Sequence, residues 1–304
     1  MQNMRLRPIV ITVLAAFAIT GSVLLLTTFK DQTLPAEVSD DTISIVATIY
    51  PMAYFADGLL PDASITTIIE PGVEPHDFSP TLDDVKTMLD ADILLIVGGV
   101  ETPVDAWAMD VWNDRAEAGK SVIVASAFSS HSDPHVWLDP VYSQETVRQI
   151  GRTLTVLFPD DREAIEAGVH AKVAVLAGLD AEYQAGLASC EIREIVSAHD
   201  AFGYLARRYD FTVHSIAGIS PEDEPSASAL ADLADLIRER KITTVFFEEL
   251  LSDDLARTLA DETGAKIDVL DPIESLTSEY KSQIGYAGIM KENLQKLRSA
   301  MVCQ

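Results

Sequence analysis

Residues 143–188 read SQETVRQIGRTLTVLFPDDREAIEAGVHAKVAVLAGLDAEYQAGLA. The pattern predicts one helix over residues 144–158 and a second over 160–188, in which Ala, Glu, Lys and Leu dominate. Gly168 and Gly178 interrupt the second helix, at about 1 kcal/mol each against alanine. On either side of this helical spine the pattern changes. Before it, Ile- and Val-rich strands at 43–50, 64–70, 92–97 and 121–125 alternate with helices after Pro51 and over 81–90 and 102–116. After it, strands at 194–198, 211–216, 243–247 and 266–270 alternate with helices at 202–209, 226–240, 253–263 and 283–298. Such alternation predicts parallel sheets with helices on both faces. The fold class is therefore α/β. An N-terminal lobe over residues 43–142 and a C-terminal lobe over 189–304 are joined by linking helices over 143–188. No short-period repeat or low-complexity tract is present.

A chain of 304 residues suits about two domains, and a hydrophobic fraction of 48% is enough to build their cores. The formal net charge is -26. Arg5, Arg7 and Lys30 face no acid within the first thirty residues, so the remainder is more acidic still. That balance excludes nucleic acid and anionic membrane surfaces as partners, and favours solubility and attraction of cations.

The N-terminal segment bears on the compartment. Arg5 and Arg7 precede an uncharged run over residues 8–29, the layout of a membrane anchor or an export signal. Residues 1–30 are expected to anchor the chain in the cytoplasmic membrane, with the globular part outside. No cysteine lies near the end of this run, which argues against a lipid anchor. Residues 31–42, polar and acidic, form a linker. The two cysteines, Cys190 and Cys303, flank the C-terminal lobe. They are either two free thiols or, in an oxidising compartment, one bridge closing that lobe.

In open parallel sheets ligands bind beyond the carboxyl ends of the strands. The strand over 64–70 runs into PGVEPHDFSP, which carries His76 and in which Ser79 before Pro80 resembles a helix N-cap. The strand over 121–125 leads to DPHVWLDP (133–140), which sets His135 between two prolines and two carboxylates. The strand over 194–198 ends in His199, and that over 266–270 ends in Asp271. Three imidazoles and a carboxylate thus emerge where a ligand would sit, two from each lobe. Neutral imidazole is the commonest protein metal ligand. Position alone leaves open that these are ordinary turn residues. His170 and His214 have no such placement. His131 is four residues from His135, but Pro134 forbids the helix that spacing would need. Asp77, Asp139 and Asp200 are candidates to orient the three rings, and Glu248 is a further carboxylate near the cleft.

The stretches PGVEPHDFSPTLDDV (71–85), DPHVWLDP (133–140), SAHDAFGYLARRYDF (197–211), GISPEDEPSA (218–227) and VLDPIESL (269–276) together resemble the metal receptors of bacterial zinc and manganese ABC importers. These are the cluster A-I solute-binding proteins, and the similarity extends over nearly the whole of residues 43–303. The resemblance implies two doubly wound lobes joined by a long rigid helix, with one buried metal ion in the cleft. Carried over by motif, its ligands are His76, His135, His199 and Asp271. The lipid-anchor cysteine usual in the family is absent, and so is the His-rich loop of many zinc members.

The expected function is an extracytoplasmic, membrane-tethered monomeric receptor. It captures Zn2+ and passes it to a membrane permease, and it is not an enzyme. Three imidazoles with one carboxylate suit Zn2+ over Mn2+, although Mn2+ receptors and metal-dependent adhesins share the fold. A zinc hydrolase is the rival from another class. Catalytic zinc keeps an open position with a base beside it, and no H-E-x-x-H motif occurs.

Overall fold

Ile93-Leu94-Leu95-Ile96 is buried along its whole length, as a strand covered by helices on both faces must be. It is β3 of a four-stranded parallel sheet with β1 (Ser44–Ala47), β2 (Ser64–Thr67) and β4 (Ser121–Val124), in the order β2-β1-β3-β4. The edge strand β2 alternates exposed and half-buried residues instead. A second parallel sheet has the same winding: β5 (Glu194–Ser197), β6 (Thr212–Ser215), β7 (Thr244–Phe247) and β8 (Lys266–Val269), in the order β6-β5-β7-β8. Its inner strands β5 and β7 are largely buried, and its edge β8 alternates. This computed structural model describes residues 42–97, 103–124, 133–221 and 223–304. The N-terminal anchor, the linker up to residue 41, and His131 with its neighbourhood lie outside the described residues.

The helices are α1 (Tyr50–Ala56), α2 (Leu82–Asp90), α3 (Pro103–Glu117), α4 (Pro140–Leu157), α5 (Arg162–Gly186), α6 (Gly203–Tyr209), α7 (Ala227–Arg240), α8 (Asp254–Thr263) and α9 (Glu279–Ala300). The spine is α4 followed by the 25 residues of α5, a rod of roughly 37 Å at 1.5 Å per residue. Gly168 in α5 has a packing reason: a Cβ there would lie 2.5 Å from the carbonyl oxygen of Gly58. The N-cap of α2 is Thr81 rather than Ser79. The Thr81 side chain accepts from the Asp84 N–H, and Asp84 accepts from the Thr81 N–H, a reciprocal box that satisfies two otherwise orphaned donors.

The spine does more than connect. One continuous apolar core takes in the first sheet, α1, both spine helices, α9, and Ile195 of β5, Phe246 of β7 and Leu270 just after β8. A smaller cluster lies under α7 and α8. Across this shared core, Tyr183 of α5 donates to the Met290 carbonyl of α9 at 2.7 Å. Cys190 and Cys303 form the disulfide, joined across 113 residues of chain, so the second of the two sequence readings holds.

The last helix departs from expectation in an instructive way. It starts four residues before the expected 283 and breaks at Gly285, whose φ of 63° and ψ of -177° lie outside helical space. The Tyr286 N–H released there is caught by the Tyr50 hydroxyl at 2.9 Å.

Candidate metal centre

His76 lies in the turn after β2, with its N–H given to Glu74 Oε1 at 3.2 Å, and is almost fully buried. His135 opens the 3-10 turn Val136–Leu138. Asp133 Oδ1 accepts both its backbone N–H at 3.0 Å and its Nδ1 at 2.8 Å. His199 lies two residues beyond the end of β5 and gives Nδ1 to Glu248 Oε1 at 2.6 Å. Both rings are fully buried. A carboxylate on the far nitrogen fixes the tautomer and directs Nε2 to the centre.

The carboxylate that meets these rings is Glu274. Its Oε1 lies 3.3 Å from His76 Nε2, 2.8 Å from His135 Nε2 and 3.6 Å from His199 Nε2, and the Nε2 atoms of His135 and His199 are 3.3 Å apart. The ligand atoms of the four residues all fall within 4.8 Å of one another. A tetrahedron with metal bonds of about 2.0 to 2.1 Å has edges of roughly 3.3 to 3.4 Å. Four of the six donor separations, from 2.8 to 3.6 Å, bracket that edge.

Asp271, the fourth residue named from the sequence, stands outside this group of four. Its Oδ1 accepts the Ile273 N–H at 2.8 Å, and Oδ2 lies 3.5 Å from Lys281 Nζ. Asn293 clamps its backbone, accepting the Asp271 N–H and donating to its carbonyl. The turn then passes through Ile273, which is fully buried at φ 60°, a left-handed conformation unfavourable for a β-branched residue. That forced turn carries the chain past Asp271 and delivers Glu274 to the centre. The strand-end rule finds the first carboxylate after β8 and has no means of seeing the turn.

The orienting acids also differ from expectation. Asp133 and Glu248 hold the rings, whereas Asp77 is exposed and Asp139 caps α4 through the Val141 N–H while pairing with Arg208 of α6 at 2.8 Å. Asp200 gives its backbone N–H to Gly218. An Asp two residues before a histidine in a tight turn, as in Asp133-Pro134-His135, was the available signal for the first of these. Elsewhere, His214 pairs with Glu194 at 2.8 Å.

Charges at the centre are strongly coupled. Burial disfavours the protonated His199 ring, but Glu248 and Glu274 outweigh it and hold its pKa well above the ordinary value. Burial likewise opposes the His135 cation, and Asp133 and Glu274 raise its pKa. Burial would push Glu274 up, yet bonds to His135, His199 and His76 keep it well below the carboxylate range. Glu74 is driven up to about 7, first by burial and then by Glu274. A small cavity of about 20 Å³ beside the centre is lined by Glu74, Glu248, Glu249, Asp271 and Glu274 among others. Glu248, Asp271 and Glu274 are buried there, Glu74 is half-buried and Glu249 exposed, so acid is concentrated on this side of the centre.

Residues 45–300 match the family described as ZnuA, zinc-uptake complex component A, periplasmic. The chain belongs to this family. Within this zinc-uptake family it is 33% identical over 295 residues to the high-affinity zinc uptake system protein ZnuA of Bacillus subtilis, covering 88% of this chain and 90% of that one. Zinc-binding lipoprotein AdcA of Streptococcus pneumoniae is also 33% identical over 295 residues, but the match spans 86% of this chain and only 56% of AdcA. Among solved structures, Zn(II)-bound AdcA superposes with a TM-score of 0.75 at 33% identity, over 86% of this chain and 58% of AdcA. The laminin-binding protein Lmb of Streptococcus agalactiae, described as having adhesin and metal-transporting activity, superposes with a TM-score of 0.77 at 29% identity. That match covers 85% of this chain and 99% of Lmb. These relatives share the two parallel-sheet lobes and long helix described above.

Proposed function

We propose that this protein is the extracytoplasmic receptor of a zinc importer. It captures Zn2+ between its lobes and passes it to a membrane permease driven by a cytoplasmic ATPase. The observation that carries this reading is the buried set of three imidazole nitrogens and one carboxylate oxygen, all within 4.8 Å. His76, His135, His199 and Glu274 hold the ion, and Asp133 and Glu248 orient two of the rings. Four protein donors complete a tetrahedral shell and leave no position for a reacting water, so the site carries zinc rather than using it for hydrolysis. A nitrogen-rich set ranks Zn2+ far above Mn2+. Residues 1–30 tether the receptor to the membrane, a reading supported by the uncharged run over residues 8–29 behind Arg5 and Arg7.

The test is metal-linked stability. A ligand bound only by the native state adds about 4 kcal/mol at a thousandfold excess over its Kd. Zn2+ added to chelated protein is expected to raise Tm clearly, and Ala at His76, His135, His199 or Glu274 to remove most of the rise. His170→Ala serves as the control and leaves it intact. No shift with Zn2+, or an equal loss at His170, refutes the assignment.

A further inference from the structure

Asp271 lines the same small cavity as Glu274 but is turned toward a cation of the protein's own. Lys281 is 4% exposed, and its ammonium lies 3.5 Å from Asp271 Oδ2 and 2.8 Å from Glu292 Oε2. Asp271 Oδ2 is buried and accepts no hydrogen bond among the described residues, so Lys281 is the group that balances it. Lys281 reaches this position because α9 breaks. Lys281 and Glu292 are eleven residues apart, roughly 16 Å along an unbroken helix. The Gly285 kink folds the first turn back so that they meet at 2.8 Å. Ser278, capping that turn, accepts the Lys281 N–H, and the Tyr280 hydroxyl binds the other oxygen of Glu292 at 2.6 Å. The lysine is thus held from both ends.

We propose that Lys281 is a specificity-determining residue: by engaging Asp271 it keeps a second acidic oxygen donor off the ion and confines the centre to three imidazoles and Glu274. This rests on the zinc-receptor reading above. A shell of four suits Zn2+, whereas an added carboxylate raises both the oxygen content and the coordination number in the direction Mn2+ prefers. Removing one member of a buried ion pair leaves the other uncompensated. Without Lys281, Asp271 is left uncompensated beside the cavity it shares with Glu274.

The experiment is competition of Zn2+ and Mn2+ against a chromophoric chelator, using the full chain stripped of metal. Lys281→Met is expected to raise Mn2+ affinity relative to Zn2+ by about tenfold or more, a difference well within measurement. Lys281→Arg, which keeps the charge, holds the ratio near wild type. The double variant Lys281→Met with Asp271→Asn returns the ratio to wild type, a reversal that general loosening of the fold does not produce. An unmoved ratio in Lys281→Met overturns the inference. So does a tenfold or greater loss of zinc affinity on Asp271→Asn alone, because Asp271 would then already be a ligand. Should Lys281→Met fail to fold, that single Asp271 variant decides the matter, with a change of less than about threefold expected. A wild-type chain that binds neither ion overturns the receptor function itself. Tight zinc binding with an unmoved ratio overturns only the role of Lys281.

Discussion

Glu248 is buried and touches His199 through its far nitrogen only. Partners of this kind typically account for ten- to a hundredfold in metal affinity. Glu248→Gln is expected to weaken zinc by about that factor, while Asp77→Asn, at an exposed carboxylate, leaves it unchanged; isothermal titration against a competing chelator separates the two. His199 tests the softness argument. Replacing its imidazole by a carboxylate exchanges a nitrogen for an oxygen, so His199→Glu lowers zinc affinity more than manganese affinity. An unaltered ratio would mean that ligand type does not set the preference here. Arg115 acts far from the centre. Fully buried, it donates to the carbonyls of Met88, Leu89, Ala91, Asp92 and Ser121, and so satisfies the C-terminal end of α2 and ties it to β3 and β4.

At the scale of elements, glycines in helices divide by what surrounds them. Gly178 has nothing within 4 Å of a Cβ placed on it, whereas Gly168 meets the Gly58 backbone. Gly178→Ala is therefore expected to stabilise by up to about 1 kcal/mol, the helix propensity difference. Gly168→Ala should destabilise, because a backbone oxygen at 2.5 Å cannot swing aside. Urea melts of the two variants, run in parallel, would contradict this packing of α5 if they shifted in the same direction. Gly285 is a different case. Its φ of 63° with ψ of -177° is a region essentially reserved for glycine, unfavourable for a residue with a Cβ by roughly 1 to 3 kcal/mol. Gly285→Ala should lower stability by that amount and, by disturbing the placement of Lys281, shift metal preference toward Mn2+ as well.

For the whole molecule, the disulfide closes nearly the entire C-terminal half, from Cys190 before β5 to Cys303 after α9. A loop of that length is credited with up to about 4.7 kcal/mol in the entropic model, and native bridges of this kind are commonly worth 2 to 5. Reduction is expected to lower Tm markedly in both apo and zinc-loaded protein while leaving the zinc-induced increment in place, since neither cysteine belongs to the group at the centre. Loss of the increment on reduction would show that the bridge shapes the centre. Asp139 links the lobes in another way, capping α4 and pairing with Arg208 of α6, and Trp137 donates to the Pro272 carbonyl across the same cleft at 2.8 Å. The lobes meet through these bonds and through a shared apolar core.

Local pattern was enough for much of this. Runs such as ILLI at 93–96 and the Ala-rich stretch at 162–186 are decided by burial on both faces and by helix propensity, which act over a few residues. The strand-end rule then places His76, His135 and His199 at the carboxyl ends of strands, because winding direction follows from strand-helix alternation alone. The position of Glu274 was beyond that reach. Whether Asp271 or Glu274 meets the three rings depends on a left-handed Ile273, tolerable only where packing holds it. It depends also on Lys281, ten residues further along, returned by the Gly285 kink to occupy Asp271. The choice of orienting acids has the same origin: Glu248 reaches His199 across 49 residues of chain, a pairing set by the adjacency of β5 and β7 in the sheet. Residue type and short-range period determine which groups are available at the cleft, and tertiary packing, which sets turns and pairs charges distant in sequence, decides which of them face the ion.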